Sequence, residues 1–292
     1  MYGPESECHQ HILKWIFSIS THSVLSGSGK GEFVEWMISS GSLSPSIHCG
    51  QEIDFGGSAV RMPEPSKSNP GRSIVEVHRT ILTIAARLGL LARDLMANRA
   101  HPLTNNLKIL HQQQRVMQLR STLRNFWHGQ LPALVAMGHG NKSVPVAARG
   151  IVEHTHALYH ACIIYSYTSM WPHQRLEMST ESIPEMLQSV SEILQLAREI
   201  TANGCNERKF MVFPLFMAGV ASRSPSDQQL AIELLRMFEK NSIGKAMVAT
   251  RHVLEVIYQK QREAIMQGAH PMMVDWVNTV AERGLQMIDA HL

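Results

Sequence analysis

Residues 73–98, SIVEVHRTILTIAARLGLLARDLMAN, decide the fold class because their apolar side chains recur at steps of three and four. This spacing puts them on one face of an α-helix, whereas a half-buried strand would alternate with a period of two. Ser73 is a suitable N-cap, and Glu76 three residues later completes a capping box. The sequence thus predicts a long amphipathic helix starting at Ser73. Its apolar stripe consists of Ile74, Val77, Ile81, Ala85, Leu88, Leu91 and Leu95.

The same periodicity extends over most of the chain. A second well-marked helix begins at Ser224, where Pro225 fits the first helical position and Asp227 the third. Its inner face would hold Leu230, Leu234, Leu235 and Phe238. Comparable patterns cover approximately residues 104–128, 144–170, 182–202, 245–265 and 271–290. Alternation with a period of two does not clearly prevail anywhere, so the sequence predicts an all-α, multi-helix array.

Length and composition narrow the class of protein. The chain has 292 residues, of which 44% are hydrophobic and 17% charged, as in globular proteins, and its net charge of +3 is too small to indicate nucleic-acid binding. No apolar run approaches the roughly 20 residues of a membrane span, so we expect no membrane contact. The four cysteines are far apart and form no C-x-x-C, which excludes a cysteine-based zinc module within this sequence and favours reduced thiols in the cytosol or nucleus.

One segment lacks helical periodicity. Residues 41–72, GSLSPSIHCGQEIDFGGSAVRMPEPSKSNPGR, are rich in Gly, Ser and Pro. Their composition is typical of a disordered or loosely docked linker, and a functional loop is the alternative. We therefore expect an N-terminal helical segment over 1–40, a flexible loop over 41–72 and a main helical domain over 73–292.

Residues 151–160, IVEHTHALYH, are the strongest candidate for a metal site. A helix would place Glu153, His156 and His160 on one face, and two imidazoles with one carboxylate can hold a metal ion. However, the same face continues into apolar residues from Ile163 onward, the H-E-x-x-H motif is absent, and the chain has 16 scattered histidines. The packing interpretation is favoured, and we expect neither a metal nor another cofactor.

Two further motifs do not support catalysis. Gly27-Ser28-Gly29-Lys30-Gly31 resembles a phosphate-binding loop, but a Walker A motif needs Ser or Thr after the lysine, and no strand precedes it. A turn before a helix at Glu32 fits better. No G-x-S-x-G motif occurs and no cysteine has a catalytic context, so no catalytic residue is predicted.

A cluster of basic residues is a candidate binding surface. No acidic residue occurs between Asp94 and Glu153, and Lys108, Arg115 and Arg124 could form a basic strip on one helix. Such a strip would suit an acidic partner or phosphate. A solvated helix face, whose arginine stems cover neighbouring apolar surface, is the favoured alternative.

Two stretches resemble a known family. They are EHTHALYHACIIYSYTSM (residues 153–170) and FPLFMAGVASRSPSDQQLAIELLRMFEKNSIGKAMVATRHVLEVIY (residues 213–258). Together they are similar to the C-terminal regulatory domain of fungal zinc-cluster transcription factors, whose F-P-L-F-x-A-G signature matches residues 213–219 and whose L-Y-x-A core matches residues 158–161. The resemblance spans roughly residues 74–290. It implies an array of α-helices in which residues 158–165 form a core helix.

The resemblance also assigns roles within the F-P-L-F segment. Pro214 would lie in the first turn of a short helix, while Ala218 and Gly219 would allow close helix approach. This sequence departs from the family by lacking the six-cysteine DNA-binding module and its coiled-coil linker, and by having Asp227-Gln228 and Tyr258 where an acidic–arginine pair and a tryptophan are frequent. We therefore expect no sequence-specific DNA binding by this chain alone.

The resemblance implies a regulatory or effector domain of a fungal transcription regulator. Its partners would be proteins of the transcription machinery, a second copy of the chain, or a small-molecule effector, and it would be nuclear, or cytoplasmic if the DNA-binding module is truly absent. One alternative is an enzyme or small-molecule-binding protein of fungal secondary metabolism; another is a dimerisation module. The candidate ligand pocket consists of His156, Tyr159, His160, Trp171, Phe213 and Phe216.

Overall fold

The computed structural model describes residues 4–27, 29–40, 52–54, 59–61, 70–97, 106–137, 146–169, 182–202, 210–239, 246–269 and 274–282. Within these ranges the chain forms ten α-helices and one two-stranded hairpin, which confirms the predicted all-α, multi-helix array. The helices are α1 (Pro4–Leu25), α2 (Glu32–Ser39), α3 (Pro70–Ala97), α4 (Asn106–Met137), α5 (Val146–Thr168), α6 (Ser182–Ala202), α7 (Val212–Ala221), α8 (Pro225–Glu239), α9 (Ala246–Met266) and α10 (Trp276–Glu282). None of the described helices has the length and apolar character needed to cross a membrane.

Helix α3 contains the stretch that predicted the fold. All seven residues of its apolar stripe are buried, with at most 8% of any of them exposed. The prediction of the helix start is wrong, because the helix begins at Pro70 rather than at Ser73. Proline is well suited to a first helical turn, where its missing N–H would have no helical acceptor in any case.

Helix α8 has the predicted start. Ser224 Oγ accepts a hydrogen bond from the backbone N–H of Asp227 at 3.1 Å, and the helix begins at Pro225. Leu234, Leu235 and Phe238 are fully buried and Leu230 is partly buried against the same core, so the predicted inner face is confirmed. Helices α4, α5, α6 and α9 correspond to four of the other predicted segments, and α10 lies in the fifth, whose last residues are outside the described ranges.

The segment 41–72 contains regular structure that the sequence did not predict. Strands β1 (Glu52–Asp54) and β2 (Ala59–Arg61) pair antiparallel, with Ile53 opposite Val60. Residues 70–72 belong to α3. The remaining residues of the predicted loop lie outside the described part of the chain, so its flexibility stays a prediction.

Helices α5 and α7 form the centre of the array. Helix α5 packs against α3, α4, α6 and α7, while α7 packs against α5, α6, α8 and α9. Every residue of α7 is buried, as an all-round apolar helix requires. A Cβ on Gly219 would lie 2.8 Å from both Leu254 Cδ1 and Tyr258 Oη, so glycine permits the close approach of α9 that was expected.

The N-terminal helices are attached to α3. Helix α1 packs along α3, and Arg93 of α3 donates hydrogen bonds to Glu35 Oε1 at 2.6 Å and to the carbonyl of Lys30 at 2.5 Å. Gly31 has a φ of 81°, a left-handed conformation that suits glycine, and it immediately precedes α2. The glycine-rich stretch is thus the predicted turn before a helix at Glu32.

Candidate functional site

The facing surfaces of α5 and α6 bring most of the candidate residues together. His160 Nδ1 lies 3.0 Å from Ser189 Oγ, and His156 Nε2 lies 3.8 Å from Glu192 Oε2. The earlier histidine on α5 faces the later residue on α6, and the later histidine faces the earlier one, so the two helices run antiparallel here. The i, i+4 spacing of the histidines on α5 matches the i, i+3 spacing on α6, because both spacings select one helix face.

Trp127 of α4 covers this surface. Its ring stacks on Tyr159 with a centroid distance of 4.4 Å and an interplanar angle of 10°, and on His156 at 5.3 Å and 24°. It also meets the edge of His160 at 6.3 Å. We call Trp127, His156, Tyr159 and His160 the Trp127 cluster. It unites three of the predicted pocket residues with a tryptophan that the sequence did not single out.

Burial sets the protonation of the Trp127 cluster. Desolvation lowers the pKa of His160 to about 3, with a smaller contribution from His156, so the His160 imidazole is neutral at physiological pH. Burial likewise raises the pKa of Tyr159 to about 12. His156 remains partly accessible, with 29% of its side chain exposed, and Glu192 has 39% exposed. The cluster therefore has a buried end with the neutral imidazole of His160 and a partly exposed end at His156, which lies next to Glu192.

The other predicted pocket residues lie elsewhere. Phe213 is buried against His22 and Tyr165, at centroid distances of 6.0 Å to both. Phe216 packs edge-to-face on Trp276 at 5.2 Å. Both side chains belong to the core around α7, and Trp171 lies outside the described residues.

A polar network joins α4, α5 and α6 next to the Trp127 cluster. Arg124 donates to both carboxylate oxygens of Glu185, at 2.6 Å for the Nε–Oε1 pair, and Tyr167 donates to Glu185 at 2.9 Å. Burial alone would raise the pKa of Glu185, but the hydrogen bonds from Arg124 and Tyr167 outweigh it and lower that pKa. Arg120 donates twice to Ser166, at 2.8 Å each. These arginines bind neighbouring helices.

The candidate basic strip does not hold Arg115 and Arg124 on one surface. Arg115 is exposed, whereas Arg124 faces Glu185 of α6 and Tyr167 of α5. The two residues are nine positions apart, which at roughly 100° per residue puts them on opposite sides of α4. The side chain of Lys108 lies outside the described residues, Arg115 is exposed, and the side chain of Arg124 is 37% exposed although it is paired with Glu185.

A second group of histidines fills the space between α1, α3 and α5. The ring of His154 lies 4.8 Å from that of His78 and stacks on those of His22 and Phe210, at 5.9 and 4.7 Å. Thr155 donates its proton to the carbonyl of Ile151, so the Nδ1 of His78, 3.0 Å from Thr155 Oγ1, is the donor. Desolvation lowers the pKa of all three histidines, to about 4 for His78. These imidazoles are neutral and serve as packing groups.

The sequence of the helical array matches a known protein family. A model described as the fungal specific transcription factor domain matches residues 33–288. The chain belongs to this family. The matched range contains every helix from α3 to α10 and most of α2, whereas α1 precedes it. Neither the curated proteins nor the solved structures gave a match to the chain.

In this fungal transcription factor domain, the sequence did not predict that Ser189 and Glu192 contact the candidate histidines, nor that Trp127 packs against them. Glu192 and Ser189 contact the two histidines from α6, and Trp127 contacts them from α4. Glu153, which shares a helix face with the histidines by spacing, is not part of the His156, His160 and Glu192 group that the described residues form. The i, i+3 spacing of Ser189 and Glu192 was visible, but only the register of two helices shows that it faces α5.

Proposed function

We propose that this chain is the regulatory domain of a fungal transcription regulator and that it acts by binding protein partners in the nucleus. The observation that carries the proposal is membership in the family of fungal specific transcription factor domains, which supports a regulatory role in fungal transcription factors. The arrangement of charged groups agrees with it. The charge of Arg124 is paired with Glu185. Arg124 therefore contributes little to a cationic surface of the kind that binds the DNA backbone.

Two exposed tryptophans support binding to a protein partner. Trp15 of α1 is 50% exposed and Trp36 of α2 is 53% exposed. Tryptophan is usually well buried in folded chains, and at protein interfaces it often contributes much of the binding energy. The partner is a protein of the transcription machinery, and a second copy of the chain is the competing possibility.

A reporter experiment tests this proposal. The whole chain is fused to an unrelated DNA-binding domain in yeast, upstream of one reporter that detects activation and another that detects repression. The fusion is expected to change the output of one reporter, and replacing both tryptophans by alanine is expected to reduce that change. Outputs equal to those of the DNA-binding domain alone, from a fusion that is expressed and folded, would refute the regulatory role.

The matched control replaces Ile265 and Met266 by alanine. These residues of α9 are also exposed apolar side chains, at 56% and 78%. The control variant should keep the full reporter change. An equal loss in both double variants would show that the tryptophans are not a specific contact surface. Light scattering on the purified chain, with and without the tryptophan substitutions, separates partner binding from self-association.

The second candidate function is a small-molecule-binding protein of fungal secondary metabolism. One observation favours it: the Trp127 cluster combines stacked aromatic rings with imidazoles, and its His156 end reaches solvent. Aromatic walls with a few polar groups are typical of ligand sites. A screen for ligands that change the fluorescence of the parent but not of Trp127→Phe would support it. A screen without such a ligand would favour the partner-binding function.

A further inference from the structure

We propose that His156, His160 and Glu192 form a binding site for a divalent transition-metal ion, with Zn²⁺ as the best match. Each of the three residues offers one ligand atom, and the three atoms all lie within 4.8 Å of one another. Two imidazoles and one carboxylate are a common ligand set for such metals. The proposal goes beyond the regulatory role and does not depend on it.

The local geometry suits metal coordination. Zn²⁺ binds histidine nitrogen and carboxylate oxygen at about 2.0–2.2 Å in a tetrahedral arrangement, which separates two ligand atoms by roughly 3.4 Å. His156 Nε2 and Glu192 Oε2 are 3.8 Å apart, and all three ligand atoms lie within 4.8 Å of one another, so the side chains have to close by at most roughly 1.4 Å to reach this separation. The i, i+4 spacing of the histidines is also the spacing by which the H-E-x-x-H helix presents two zinc ligands.

The second layer of contacts supports the same interpretation. Metal-bound histidines usually use their other ring nitrogen in a hydrogen bond that fixes the ring. Ser189 Oγ makes this contact with Nδ1 of His160 and thereby leaves Nε2 for the metal. Trp127 packs on His156 and provides the apolar wall that limits water access on one side. His156 and Glu192 are partly exposed, so an ion can enter from solvent.

The earlier expectation of no metal depended on a single helix. Within α5 the candidate carboxylate was Glu153, and the face continued into apolar residues. Glu192 supplies the carboxylate from the facing helix, a ligand that spacing along α5 could not reveal. Because the three ligands come from two helices, a bound ion would connect α5 to α6. Three protein ligands also leave a coordination position for water or a small ligand.

Zinc titration of the purified chain tests the site. The chain is prepared without a histidine tag, freed of metal with a chelator and titrated with Zn²⁺ by calorimetry. We expect about one ion per chain, and His156→Ala and Glu192→Gln should each weaken the affinity at least about tenfold. Both substitutions are at partly exposed side chains, so the variants should fold, and circular dichroism checks this. A saturating excess of Zn²⁺ should raise the melting temperature of the parent by roughly 5 °C.

The control is His252→Ala on α9. His252 is 60% exposed and lies 3.4 Å from Glu255, and among the described residues no second imidazole joins this pair in a metal-binding group. This variant should bind Zn²⁺ like the parent. The proposal is overturned if the parent shows no saturable binding, if Glu192→Gln binds as tightly as the parent, or if His252→Ala loses as much affinity as His156→Ala. Since binding is measured on the isolated chain, its failure leaves the reporter result unaffected.

Discussion

Replacing Phe216 by alanine should remove a large part of the stability of the domain. Phe216 is fully buried in α7 and packs edge-to-face on Trp276 at 5.2 Å. An aromatic side chain buries roughly 150–200 Å², worth about 4 kcal/mol at 25 cal/mol per Å², of which alanine keeps about a quarter. Loss of the ring pair adds about 1 kcal/mol. The sum, about 4 kcal/mol, lies within the roughly 3–5 kcal/mol typical of such core truncations.

The assay is urea denaturation at 25 °C, followed by circular dichroism and by tryptophan fluorescence. Coincidence of the two transitions shows whether a single free energy of unfolding applies. Phe216→Leu keeps most of the apolar volume and should lose about half as much stability as the alanine variant or less. Trp36→Ala is the control, because its side chain is 53% exposed, and it should change the stability by only about 0.5 kcal/mol.

The result that would refute this reasoning is an alanine variant that unfolds at the same urea concentration as the parent. Phe216 would then be exposed in solution, and the F-P-L-F segment would be better explained as a partner-binding element. If the alanine variant fails to fold, the leucine variant still decides the question. A leucine variant as stable as the parent would show that the volume of the side chain at this position does not matter.

Three further predictions concern charge. The pKa of His78 is lowered from 6.5 to about 4, mainly by burial, so the unfolded chain binds a proton that the folded chain does not between these pH values. His78 should thus contribute a fall of up to about 3 kcal/mol in the free energy of unfolding as the pH drops through this window, in addition to the falls from His22, His154 and His160, whose pKa values burial also lowers. His78→Gln should make the total fall shallower, and parallel pH profiles of variant and parent would contradict it. Arg124→Ala and Glu185→Gln should show a coupling of about 1 kcal/mol in a double-mutant cycle, and strict additivity would contradict the partly buried ion pair. In a mobility-shift assay with random duplexes the chain should enrich no motif, with residual affinity falling steeply between about 50 and 200 mM salt. Enrichment of one motif with a Kd near 10⁻⁸ M would contradict that expectation.

Local patterns in the sequence predicted the helices because each helix face is set by neighbours three and four residues away. The stripe on α3 was predicted correctly for this reason. Its start was not, since Ser73 and Pro70 are both good residues for a first turn and only the structure distinguishes them. Strands β1 and β2 have three residues each, too few for an alternating pattern to stand out.

The sequence could predict only those features of the candidate site that lie within a single helix. The common face of His156 and His160 follows from their spacing, but the contacts with Glu192 and Ser189 depend on how α5 and α6 are aligned. That alignment is a tertiary property, and no local rule encodes it. The candidate basic strip is a different case, because the helical phase of Arg115 and Arg124 is fixed by the sequence and already puts them on opposite sides of α4.

The two histidine groups differ in whether a carboxylate lies beside the imidazoles, which matters for binding a cation. His22, His78 and His154 pack against one another and against aromatic rings, burial lowers their pKa values, and His154 Nε2 is buried without a hydrogen-bond partner. Within the described residues no carboxylate joins them in a metal-binding group. The α5–α6 group combines two imidazoles with a carboxylate and an opening to solvent. Neutral rings without a carboxylate suit packing, whereas a carboxylate beside imidazoles offsets the charge of a divalent ion. Zinc binding should therefore report on the α5–α6 face and be unchanged in His78→Gln.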